Sequence, residues 1–213
     1  MRHLIYVPIV HSDVDLGSVA GDARRLFERA FGRTEWSRRR ASVELMWQGL
    51  RARLLAQPLC WHHTRLYQDG LPVCGREEEI VRELAAEGSH NHRLLVELAA
   101  SGAKLMGTED PELMLAEYRW IQKVQEAAQA DAGEREIEEV SREGRALLGK
   151  RDDFVARRID ETLADGETGI LFLGLLHRVD EIVEGRFALT QLIHSLPLDT
   201  DPWQRLKATR RDH

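Results

Sequence analysis

Two stretches of the chain, HLIYVPIV (residues 3–10) and GILFLGLL (169–176), are apolar without interruption. A strand with one wet face alternates apolar and polar residues. One covered on both faces has no polar position to spare, and a parallel sheet sandwiched by helices is the architecture that meets this condition. TRLYQ (64–68) and AKLMG (103–107) read as further strands, and RFALTQLIHSLP (186–197) as an edge strand.

The segments between the strands carry helical spacing. GSVAGDARRLFERAFG repeats apolar residues at three and four through Val19, Ala23, Leu26, Phe27 and Ala30. The next helix starts at Thr34, an N-cap candidate with Glu35 in its first turn. It carries the stripe Trp36, Val43, Met46, Trp47, Leu50 and Leu54, and stops at Pro58. GREEEIVRELAAEG and SHNHRLLVELAASG each end at a glycine suited to a left-handed cap, and Ser89 suits an N-cap. Thr108 or Asp110 caps a long helix with Pro111 at its first position, and the charged stretch from Glu134 onward is helical, bent or broken at Gly144 and Gly149. The expected fold is α/β, with a largely parallel central sheet of four or five strands covered by helices. One domain is expected over 1–198, with a mobile tail at 199–213.

Composition narrows the function classes. At 213 residues, with 43% hydrophobic and 31% charged residues, the chain suits a soluble globular domain. Lys and Arg total 30 against 36 acidic residues, so the net charge of -6 offers no global attraction to nucleic acid or anionic lipid, and neither is expected as a partner. No apolar run approaches the roughly 20 residues that cross a bilayer. The start, MRHLIYVPIVHSD, lacks a small-residue cleavage site, and two cysteines suit a reducing compartment, so a cytoplasmic protein is expected.

Parallel sheets bind ligands at the carboxyl ends of their strands, where loops converge. The residues ending the strands here are His11 with Asp13, Asp69, Glu109 with Asp110, and His177 with Asp180. A histidine follows each of the two apolar strands, with a turn-permissive Pro8 or Gly174 three residues earlier. Histidines beside carboxylates bind divalent ions or pass protons; the plainer reading is a polar strand end bonded to a backbone carbonyl. Cys60, His62, His63 and Cys74 follow no zinc-finger spacing, and His90 and His92 point to different faces of a helix. The run Arg38-Arg39-Arg40 and the basic tail suit phosphates but read as solvated surface. The aromatics Trp36, Trp47, Tyr118 and Trp120 suit either a core or a homodimer interface.

Gly174-Leu-Leu-His177, preceded by RDDFVARRIDETL and the buried strand GILFL, resembles the C-terminal motif of the TraB and PrgY proteins, which group with the Tiki proteases, ChaN and erythromycin esterase-like enzymes. Pro8-Ile-Val-His11 stands where that group has G-x-x-H, without its first glycine, and Gly107-Thr-Glu-Asp110 matches its mid-chain acidic turn. The resemblance implies a pocket of histidine, carboxylate and arginine, the arginine being Arg151 or else Arg158. For some relatives it implies metal-dependent hydrolysis. The expectation is a hydrolase acting on a small molecule or peptide. A divalent metal would be held by His11, His177 and Glu109 or Asp69, with Asp110 as proton acceptor and Arg151 as anchor for an anionic group. The alternative is a non-catalytic module of the same fold that binds a small ligand or peptide.

Overall fold

The computed structural model describes residues 1–12, 14–15, 20–130 and 133–194. Asp13, Gly17, Ser18, Val19 and the tail 199–213 lie outside them. The strands are β1 (His3–Ile9), β2 (Thr64–Gln68), β3 (Lys104–Met106), β4 (Thr168–Gly174) and β5 (Ala188–Gln191). They form one sheet in the order β3-β2-β4-β1-β5, and every pairing is parallel. The helices are α1 (Ala20–Phe31), α2 (Arg33–Leu55), α3 (Glu77–Ala86), α4 (His90–Ala100), α5 (Pro111–Gln129), α6 (Glu134–Thr162) and the short α7 (Val179–Ile182). The protein is therefore an α/β fold in which helices flank a parallel sheet. No helix among the described residues is long and apolar enough to cross a membrane.

Contacts divide the chain into two compact units. The first, residues 1–9, 59–80 and 98–191, holds the whole sheet with α5, α6 and α7. The second, residues 10–58, 81–97 and 192–213, holds α1, α2 and most of α3 and α4. In the first unit Leu4, Tyr6, Tyr67, Leu171 and Leu173 alternate onto one face of the sheet and pack with Val155, Ala156 and Ile159 of α6 and Val179 of α7. Ile5, Val7, Leu66, Ile170 and Phe172, on the opposite face, are buried as well. Burial on both faces is the physical reason β1 and β4 run apolar after their first residues, His3 and Thr168. Each such side chain contributes about 1.5–3 kcal/mol relative to exposure.

Local signals account for most helix ends. Gly88 and Gly102 take φ of 110° and 111° after α3 and α4, a conformation that costs a side chain dearly. Asp110, rather than Thr108, caps α5, its side chain accepting from the Glu112 amide. Helix α2 begins one residue earlier than expected, behind Gly32, so Thr34 lies inside the helix and caps nothing. Its stripe from Trp36 to Leu54 is buried. Trp36 and Trp47 are thus interior, while Tyr118 is exposed.

Two expectations are corrected. Strand β4 ends at Gly174, three residues before His177, because the chain turns there and the His177 amide returns to the Gly174 carbonyl at 3.1 Å. Helix α6 runs unbroken through Gly144 and Gly149. Gly144 instead admits an aromatic ring: a Cβ there would stand 2.4 Å from Cζ2 of Trp120, whose Nε1 donates to the Val140 carbonyl at 2.8 Å. Gly149 has nothing within 4 Å of a Cβ. The two glycines should therefore respond oppositely. Gly144→Ala should lower stability, because the overpacking cost of about 1–3 kcal/mol exceeds the gain in helix propensity. Gly149→Ala should raise it by about 0.5–1 kcal/mol. Urea denaturation midpoints of the two variants test this pair of signs.

Candidate functional site

The carboxyl end of the sheet carries a cluster of charged side chains, all within the first unit. Asp69 follows β2 directly, with its amide on the Phe172 carbonyl at 2.9 Å and its Oδ2 accepting from the Gly174 amide at 2.9 Å. Glu109 follows β3 and is bridged to Pro72; it is fully buried. Thr108, also buried, fastens this loop by accepting from the Gln68 amide at 2.9 Å. Arg151 and Asp152 come from α6, where they stand in phase with Val155, Ala156 and Ile159 on the buried face of the helix. The stripe thus presents apolar groups to the sheet and charged groups at its edge.

Arg151 is the hub. Its Nε and Nη2 donate to the two oxygens of Glu109 at 3.2 and 2.8 Å, Nη2 also reaches Asp69 Oδ1 at 3.0 Å, and Nη1 bonds Glu117 of α5. A guanidinium fork suits this bidentate geometry as an ammonium would not. His177 stands beside it. Its Nδ1 lies 2.5 Å from Asp152 Oδ1, and its Nε2 lies 3.6 Å from Asp69 Oδ1. The other oxygen of Asp152 accepts from the Arg178 amide at 3.0 Å, so the carboxylate that orients the imidazole is itself held.

Charge is unbalanced here: Asp69, Glu109 and Glu117 face a single guanidinium, and Asp152 faces the His177 imidazole. Burial pushes the Glu109 carboxyl above its usual range, against the lowering effect of Arg151. Burial alone would lower His177, but its bond to Asp152 and the charge of Asp69 outweigh that, and its pKa lies above the ordinary value. The Tyr6 hydroxyl is pushed up to about 12 by burial and by the charges of Asp180, Asp152 and Asp69. The site as a whole favours positive charge.

The structure brings Asp69, Glu109, Arg151 and His177 together. Arg158, the other candidate arginine, donates instead to the Gly107 carbonyl at 3.0 Å. Asp110 is committed to capping α5. His11 belongs to the second unit, where it lines a cavity with Ser12, Arg39, Arg40 and His90. The strands β1 and β4 are neighbours, but Ile9 pairs with Gly174, so the two histidine motifs are offset by one residue. Asp152 and Glu117 were not read from the sequence as site residues. The signal for Asp152 was its phase with the apolar stripe of α6, and Glu117 stands one turn before Trp120, which packs against α6.

A second cluster resembles a catalytic triad but lacks its wiring. In the second unit Ser89 Oγ lies 2.8 Å from His92 Nδ1, and Asp15 Oδ1 lies 3.3 Å from that same nitrogen. A relay needs one imidazole nitrogen for the serine and the other for the carboxylate. Ser89 is the N-cap of α4, accepting from the His92 amide. Asp15 is drawn below the ordinary carboxylate range despite its burial, by hydrogen bonds from His92, Ser89 and Ser12.

Fold and site together define an α/β protein with a buried cluster of three carboxylates, one guanidinium and one imidazole at the carboxyl edge of a parallel sheet, with Glu117 at its margin. No protein-family model, curated protein or solved structure matches the chain.

Removing the hub has a definite expected effect. Arg151→Met should cost about 3–5 kcal/mol near neutral pH, since it leaves Asp69 and Glu109 buried without their cation. The loss should shrink as pH falls, because the Glu109 carboxyl, already raised, takes up a proton and ends the repulsion. Denaturation of variant and wild type across pH 4–8 checks both statements.

Proposed function

We propose that the protein is a cytoplasmic hydrolase of the TraB-like group, acting on a small molecule or peptide with a divalent ion held by Asp69, Glu109 and His177. The observation that carries this reading is the cluster's surplus of negative charge around three groups whose ligand atoms lie within 4.8 Å of one another. Two carboxylates and an imidazole form an ordinary donor set for a divalent ion, so these residues fit such a group. A bound ion of this kind lowers the pKa of its coordinated water toward neutrality and so supplies a nucleophile.

The protein's own side chains then have distinct tasks. Asp152 fixes the His177 ring and leaves Nε2 directed at Asp69. Arg151 keeps Asp69 and Glu109 close despite their like charge, which makes it a positioning residue rather than an anchor for substrate, since four of its five N–H donors are already engaged. Glu117, a third exposed, is the carboxylate of the cluster that solvent reaches most readily. Cys60 and Cys74 are exposed free thiols, as suits a reducing compartment. Tyr118 is the exposed aromatic left to serve a homodimer contact.

A second reading, a non-catalytic binding module, is favoured by the burial of Glu109 and Arg151 and by their mutual saturation. Metal analysis and turnover separate the two. The purified protein, supplied with zinc or manganese, should take up about one ion per chain, and His177→Ala and Glu109→Gln should each weaken uptake about 10–100-fold. Hydrolysis of a panel of chromogenic esters, phosphoesters and peptides should fall in kcat in the same variants. A wild-type chain that takes up no divalent ion overturns the metal reading. One that takes it up without turning over any substrate supports the binding module.

A further inference from the structure

The second unit contains a cavity of about 330 Å³ whose chemistry is opposite to that of the acidic cluster. Three parts of the unit build its wall. His11 and Ser12 come from the segment after β1, Ser37, Arg39 and Arg40 from α2, and His90 from the first position of α4. Glu44 is the one carboxylate in the lining among the described residues, and it is exposed. The volume falls at the lower end of the range for small-molecule sites, larger than a bare inorganic oxyanion requires.

We infer that this cavity binds a small organic molecule through a phosphate or similar oxyanion group, with Arg39 and Arg40 as its principal partners and His11 and His90 beside them. Two guanidiniums supply charge and fork geometry, two imidazoles stand beside them, and Val43, Val14 and Ala41 give the organic part an apolar wall. Asp15 does not cancel this charge: its oxygens are taken by Ser12, Ser89 and His92. Arg38, the third member of the arginine run, is absent from the lining and bonds Glu35 on its own helix. The run Arg38-Arg39-Arg40, which reads as solvated surface in the sequence, is therefore split by helical geometry into one outward and two cavity-lining members. This inference stands apart from the metal site, since the two share no residue.

Phosphate is the probe that tests it. Titration of the full chain with inorganic phosphate, followed by NMR of the histidine ring protons, should give saturable shifts at His11 and His90 that weaken as salt is added. Arg39→Gln with Arg40→Gln should reduce the affinity at least tenfold, and so should Ser37→Glu, which puts a carboxylate into the cavity. Arg38→Gln should leave it unchanged. Chelation of divalent ions should have no effect, whatever becomes of the site at Asp69. Three results would overturn the inference: no saturable shift in the wild type at millimolar phosphate, equal binding by the double variant with its thermal midpoint intact, or an equal loss in Arg38→Gln.

Discussion

Everything at the carboxyl edge of this sheet depends on one guanidinium. Parallel strands deliver their last residues to the same rim, and here β2 and β3 deliver two acids, Asp69 and Glu109, into a buried space. Like charges at such distances repel strongly in a medium of low polarity. Arg151 is the group that lets them coexist, and by also bonding Glu117 it ties β2, β3, α5 and α6 into one assembly. Buried ion pairs of this kind repay little more than their own desolvation. The network therefore specifies where loops and helices sit more than it adds to stability.

The strands and the helix faces were legible because burial writes a simple pattern. β1 and β4 run apolar after their first residues, α2 carries a stripe at three and four, and Gly88, Gly102 and Asp110 mark helix ends by their own backbone or side-chain chemistry. Other features depend on a partner distant in sequence. Gly144 resembles a helix breaker until Trp120 is seen resting on it. Gly174 resembles a residue inside a strand until the turn that returns His177 to it is seen. His11 and His177 stand at matching places after matching strands, yet a turn keeps one at the rim and the chain leads the other into the second unit. Asp152 carries no motif at all. It matters because α6 presents it in phase with apolar residues, a relation that a search for strand ends passes over.

Net charge conceals the most informative contrast. The total of -6 describes an unremarkable acidic protein, but the charge is sorted: the first unit gathers three carboxylates around Arg151 and a fourth on His177, and the cavity of the second gathers, among the described residues, two arginines and two histidines with one acid. Averaged over the sequence, the contrast disappears into the total. Ligand preference resides in these local sums, which require knowing which side chains the fold gathers.

The strand order has a consequence for the protein's birth. β1 leaves the ribosome well before both of its neighbours, β4 and β5, which begin at Thr168 or later. A nascent chain therefore carries an unpaired, largely apolar ribbon until Thr168 and the residues after it have been added. Such a topology places a heavy entropic toll on ring closure and invites self-association before the last strands emerge. Prompt shielding of that ribbon by a chaperone would govern how much of the polypeptide reaches its native state.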